Sequence, residues 1–210
     1  ILEREQEPEG GAALEVFGTG RQAHTLVERV KAGVVGWEDP GDYPTTTIGR
    51  RLKVVSELLQ GYTDFGTKIF YTGMGGFDTH ADQAGRHADL LTQLDDALRV
   101  FTADLRRSSR SLWDDCSVLV ISEFGRRNEE NGSNGTDHGM GNCFFVTGGT
   151  VDRSAITGDL VDADLLERQP GYSYDFRELY SDLIENHIGA SAAPIFPEPY
   201  QTTGDISVTG

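Results

Sequence analysis

Cys116-Ser117-Val118-Leu119-Val120-Ile121-Ser122 is an almost continuous apolar run, the pattern of a strand buried on both faces of a parallel sheet. Upstream of it, Gln83 to Arg107 repeats apolar residues at helical spacing. Leu90, Leu91, Leu94, Ala97, Leu98, Phe101 and Leu105 share one face, with charges opposite. Before that helix, Thr67 to Thr72 reads Thr-Lys-Ile-Phe-Tyr-Thr, a short β-rich run closed by Gly73. Strand, helix, strand in this order predicts a βαβ crossover. The expected fold class is therefore α/β, a mainly parallel sheet flanked by helices.

Outward from this unit, Cys143 to Thr147 predicts another apolar strand, closed by Gly148 and Gly149. Helical spacing recurs from Arg21 to Ala32, from Thr47 to Gln60, and from Asp175 to His187, where Gly189 supplies a stop. The stretch through Gly20 has mixed charge and four glycines and reads as an extended lead-in. The tail, residues 190–210, carries Pro194, Pro197 and Pro199 and reads as extended. A single domain over residues 1–210 is the expected organisation.

Charge narrows the partners. Lys and Arg number 18 against 34 Asp and Glu, a formal charge of -16, which repels phosphate backbones and anionic headgroups over most of the surface. Nucleic acid is therefore not an expected partner. No run approaches the roughly 18 apolar residues that a membrane span needs. The chain opens on Ile1 rather than Met, which reads as a processed or truncated product. Cys116 and Cys143 are the only cysteines. Each starts an apolar run, so two buried thiols or one disulfide between neighbouring strands are both open.

In an open α/β sheet, ligands bind beyond the carboxyl ends of the strands, and three polar segments there hold the chemistry. The first contains Asp78-Thr79-His80, where an extended backbone would point a carboxylate and an imidazole the same way. The alternative is a helix N-cap region before Gln83. The second is Ser122-Glu123-Phe124-Gly125-Arg126-Arg127. Arg126 could contact an anionic substrate group, or pair with Glu123 or Asp137. The third, Gly135-Thr136-Asp137-His138-Gly139, frames an Asp-His pair with glycines, the alternative being an Asx turn. Carboxylate plus neutral imidazole suits zinc, manganese or iron. Two such sets brought together could hold two ions. Asn128 to Asp137 fails the EF-hand pattern, because Gly132 and Gly141 fall where ligands belong. His87 reads as a polar edge of the packing face, and His24 and His187 as structural.

Gly75-Gly76-Phe77-Asp78-Thr79-His80 with Gln83, Ser122 to Arg126, Gly135 to Gly139, and Asp175-Phe176-Arg177 with Tyr180 stand in this order. Together they resemble the hallmark motifs of the DUF1501 family over about Ile48 to Gly189. That family is similar to the alkaline phosphatase and sulfatase superfamily. The resemblance implies an alkaline-phosphatase-like fold, incomplete in this chain, and a C-terminal portion of a longer family member. The absent N-terminal half would supply a further metal ligand and any nucleophile. It also implies a metal-dependent hydrolase of phosphate or sulfate esters, with Asp78, His80, Asp137 and His138 as ligands and Glu123 and Arg126 as catalytic groups. Expected partners are a small anionic ester, a sulfated or phosphorylated polymer, and that other half or another subunit. A twin-arginine signal and an extracytoplasmic bacterial location are implied as well. Two further readings remain: a non-catalytic secreted or cell-surface binding protein, and a structural domain with an apolar face for the other half.

Overall fold

The structure, a computed structural model, describes residues 37–61, 69–149, 151 and 174–197. The lead-in, the helix expected from Arg21 to Ala32, and residues 67–68 and 198–210 lie outside the described residues. Within them the elements are α1 (Thr47–Gly61), α2 (Gln83–Arg107), β1 (Ser117–Val120), β2 (Gly125–Glu130), β3 (Thr136–Gly139), β4 (Phe145–Gly148) and α3 (Phe176–Asp182). The last helix runs on into a π-helical turn over Leu183–Ile188, ended by Gly189 in the left-handed conformation at φ 73°.

The core lies between the first two helices. Ile48 and Leu52 of α1 meet Ala97, Phe101 and Leu105 of α2, and Trp113 closes the cluster from the turn beyond α2. These positions recur at three- and four-residue intervals, so each helix buries one stripe and exposes the rest. A buried carboxylate ties the two stripes together. Asp104 Oδ2 accepts from Ser56 Oγ at 2.6 Å, Tyr43 Oη at 3.0 Å and Trp37 Nε1 at 3.2 Å, and its Oδ1 accepts from Arg107 Nη2 at 3.0 Å. Four donors converge on one carboxylate that is only 2% exposed, which is how an acid is tolerated inside a helix interface.

The sheets correct the expected fold class. There is no mainly parallel sheet among the described residues. β1 pairs antiparallel with β4, Ser117 opposite Gly148 and Val120 opposite Phe145, and β2 pairs antiparallel with β3. Two separate two-stranded sheets replace the single parallel layer. The βαβ unit fails at both ends. Residues 69–72 form no strand, so among the described residues α2 does not cross between neighbouring strands. All four β1 residues are half-buried, whereas the continuous apolar run had implied burial on both faces. The β2–β3 hairpin between β1 and β4 reverses the chain and returns it alongside the strand it left. The helices otherwise stand within a residue or two of expectation. Both cysteines are free thiols: Cys116 is half-buried, with burial pushing its thiol up to about 11, and Cys143 is exposed.

Asp104 gives a test of the helix interface. Asp104→Asn removes a charge acceptor and sets an amide donor among donors, and it should cost about 1–3 kcal/mol in urea denaturation at neutral pH. Burial is the largest influence on this carboxyl and opposes its ionisation. Donation from Ser56, Arg107 and Trp37, with the Gln60 amide close by, outweighs it and holds the pKa below the ordinary value. A lowered folded pKa means the stabilisation is complete above the ordinary carboxylate range and is lost as pH falls through the folded value. The acid limb of the stability profile should therefore be shallower in Asp104→Asn, and an unchanged limb would rule out this role.

Candidate metal centre

A loop and a hairpin far apart in sequence meet at the N-terminal end of α2. The loop before the helix brings Asp78 and His80, β2 brings Arg126, and β3 brings Asp137 and His138. The turn joining β2 to β3 docks on the helix end: Asp82 N–H donates to Ser133 O at 3.1 Å and Gln83 N–H to Asn134 O at 2.9 Å. These carbonyls satisfy donors that an α-helix cannot satisfy internally. Asp82, the residue at the cap, is in the left-handed conformation at φ 47° and makes no side-chain cap. Asn131 fastens the same turn. Its Oδ1 accepts from Ser133 N–H and Gly135 N–H, and its Nδ2 donates to His80 O at 3.0 Å. Gly135 passes so close to the His80 backbone that a Cβ would stand 2.2 Å from the His80 carbonyl carbon.

This docking assembles a triangle of donor atoms. Asp78 Oδ1 lies 3.0 Å from His80 Nε2 and 2.9 Å from His138 Nε2, and the two Nε2 atoms are 3.0 Å apart. No placement of protons satisfies all three sides. If both imidazoles carry a proton on Nε2, His138 can donate to Asp78, but the two N–H groups oppose one another. If only one does, the other turns a lone pair toward the carboxylate. If neither does, three lone-pair-bearing atoms stand about 3 Å from one another with no proton between them. A cation among them makes every lone pair attractive, and the three residues form a potential metal-ligand group.

Arg126 belongs to this arrangement differently from expectation. Its Nη2 donates to Asp78 Oδ1 at 2.7 Å and to Phe77 O at 3.0 Å, and its Nη1 donates to Thr136 O at 2.8 Å. The guanidinium thus spans all three chain segments and is committed to them, rather than turned outward to a substrate; the expected pairing with Glu123 or Asp137 is not the one formed. The His138 ring contact first, and the Arg126 guanidinium next, hold the Asp78 carboxyl below its usual range.

Asp137 stands outside the triangle. Its Oδ1 is 3.7 Å from His80 Nδ1, the ring nitrogen opposite the triangle, and its Oδ2 is 3.8 Å from Arg127 Nη1. Alternation along β3 explains the separation, because neighbouring residues 137 and 138 point to opposite faces. Glu123 is exposed in the turn before β2 and is not a member of the triangle. Neither Asp78 nor His80 caps α2. His87 is half-buried with its ring edge-to-face on Phe77.

Two residues of the site escaped the sequence reading. Phe124 stacks on the His138 ring at 3.9 Å and 22°, with the Arg126 guanidinium carbon 5.2 Å from its ring centre. Asn131 clamps the turn. The Asn-Gly pair at 131 and 132 marks a turn, but nothing in the sequence tells which Asn would hold His80.

The described residues thus combine helices and two-stranded antiparallel sheets with an exposed Asp/His/His cluster. Residues 58–178 match the family model described as "Protein of unknown function (DUF1501)", and the chain belongs to that family. The matched region contains all three residues of the triangle and Arg126. Neither the curated proteins nor the solved structures give a significant match.

Gly135→Ala should force the turn away from His80. Expected outcomes are destabilisation by about 1–3 kcal/mol and weaker binding of a divalent ion by calorimetry, whereas Gly132→Ala, where an added Cβ meets nothing within 4 Å, should change neither by as much. Arg126→Ala should weaken divalent-ion binding by roughly 10- to 100-fold, as loss of a group that orients a ligand typically does. Arg126→Lys should restore only part of it, since an ammonium cannot span the three acceptors as the planar fork does. Equal affinity in Arg126→Ala and wild type would exclude the positioning role.

Proposed function

We propose that this chain carries the metal centre of a hydrolase acting on phosphate or sulfate esters, in a protein exported from the bacterial cytoplasm. The observation carrying the reading is the donor triangle, whose three sides protons cannot satisfy together. The donors themselves, two imidazoles and one carboxylate, suit zinc, manganese or iron. Three protein ligands leave coordination positions for water and for an ester oxygen, the arrangement that separates catalytic from structural centres. A bound ion would supply water of lowered pKa and positive charge beside the ester.

The chain's own groups then divide the work. Asp78, His80 and His138 hold the ion, Arg126 holds Asp78 in place, and Asp137 stands where it can orient His80 through Nδ1. Glu123, exposed just before β2, keeps in this reading the role of a base that takes a proton from attacking water. The likeness of the family's motifs to the alkaline phosphatase and sulfatase superfamily supports the ester chemistry and the exported location. The parallel-sheet fold contributes nothing to it, since the described sheets are antiparallel. No helix among the described residues is long and apolar enough to cross a membrane.

A second reading, non-catalytic capture of a sulfated or phosphorylated polymer, is favoured by exposure. The side chains of Asp78, His80 and His138 are 59%, 47% and 49% exposed. Among the described residues, a polar cavity of about 480 Å³ is lined by Glu38, Gln60, Asp104 and Arg107 among others, and by none of the triangle. An open surface suits a polymer better than a small ester that must be enclosed.

Elemental analysis should find stoichiometric metal in the purified protein and none in Asp78→Ala/His138→Ala. Metal retained by that variant would remove the basis of both readings. With metal established, turnover of aryl phosphates or aryl sulfates by the wild type and not the variant supports the hydrolase. Bound metal without turnover, together with metal-dependent retention on a sulfated polysaccharide, would favour capture.

A further inference from the structure

The shape of the donor triangle bears on which ion it accepts, given the reading that it holds one. We infer that the ion at Asp78, His80 and His138 is six-coordinate, with the protein occupying one triangular face and three adjacent positions left open. The sides of 2.9, 3.0 and 3.0 Å make the triangle nearly equilateral. An ion about 2.1 Å from each donor then subtends roughly 90° between any two. That is the angle within one face of an octahedron. A tetrahedral ion at the same bond length needs donors about 3.4 Å apart, so every side would have to open by roughly 0.4 Å.

The surroundings resist that opening from three directions. Asp78 Oδ1, the triangle's own corner atom, also accepts from Arg126, which is itself bonded to Phe77 O and Thr136 O. His138 is fixed by its strand and by the Phe124 ring stacked on it. The His80 backbone is clamped by Asn131 and abuts Gly135. A braced facial set of two imidazoles and one carboxylate fits manganese(II) and iron(II) in six-coordination better than tetrahedral zinc.

Three mutually adjacent positions also define the ligand class. Two of them can take two oxygens of one group, such as a phosphoryl or sulfuryl group or a vicinal carboxylate and hydroxyl, while the third keeps a water beside it. A tetrahedral ion on the same three residues would offer a single position and exclude such chelation.

Cobalt(II) reports coordination number directly, since its visible bands are weak in six-coordination and intense in four-coordination. The full 210-residue chain, titrated with cobalt(II), should bind one equivalent with only the weak bands, and His138→Ala should lose that equivalent. Acetohydroxamate, a bidentate oxygen ligand, should shift the bands without displacing the metal. An intense four-coordinate spectrum at one equivalent would overturn this inference while leaving a metal centre in place. An equivalent retained unchanged in His138→Ala would overturn the assignment of the face. Failure of the wild type to bind cobalt, manganese, iron or zinc would overturn the metal reading and this inference with it.

Discussion

Everything that the candidate centre can do depends on the approach of the β2–β3 turn to the loop before α2. The approach is a backbone contact, made possible where Gly135 lies against the His80 carbonyl group. Any side chain at residue 135 would meet that backbone, and a backbone cannot rotate aside as a side chain can. Once the two strands of chain are this close, the carbonyls of Ser133 and Asn134 fall on the first free N–H groups of α2. The turn gains partners for its acceptors, the helix gains partners for its donors, and His80 is delivered to His138 as a consequence.

The helix α2 links this contact to the core. It is 25 residues long, about 37 Å at 1.5 Å per residue. The N–H groups of Asp82 and Gln83 at its start are met by the β2–β3 turn, and its C-terminal half is packed against α1 around Ala97, Phe101 and Leu105. Asp104 ties that end to Ser56, Tyr43 and Trp37. The polar groups at the two ends have different surroundings. Asp104 is enclosed, so its charge must be met by fixed donors. The Asp78 carboxylate is open to water, where a salt bridge alone contributes little. Its geometry is set by the covalent and hydrogen-bonded frame that Arg126 completes, more than by the strength of any one pair.

Much of the helical structure was legible because apolar spacing at three and four residues has few other meanings over 15 to 25 residues, as in α1 and α2. The sheet was not. Cys116 to Ser122 reads as a strand buried on both faces, yet burial depends on what lies on either side, and that information is carried by other segments. Pairing direction is likewise invisible in a run such as Val118-Leu119-Val120. It was set here by the hairpin inserted between β1 and β4, which the polar, glycine-rich character of residues 123–142 disguised as loop. The site was legible in composition and only partly in geometry. Asp78, His80 and His138 could be singled out because Asp and His beside glycines are unusual pairs. The separation of Asp137 from His138 follows from strand alternation, which needs β3 to be recognised as a strand. Arg126 was noticed for its charge, whereas its three acceptors include two backbone carbonyls that no side-chain pattern records.

The exposure of the triangle and its rigidity are two sides of one arrangement. A centre buried in a core is positioned by packing on every side. One at the surface has solvent on its open side, so its donors must be fixed entirely from behind. Phe124, Arg126 and Asn131 supply that backing from a ring face, a guanidinium fork and an amide, each acting on a different ligand residue. Because these supports come from the hairpin and the ligands come from both the hairpin and the loop before α2, binding of an ion would draw the two segments together. The free energy of metal binding would then act on the same contact that Gly135 permits, coupling occupancy of the centre to the stability of the hairpin against the helix.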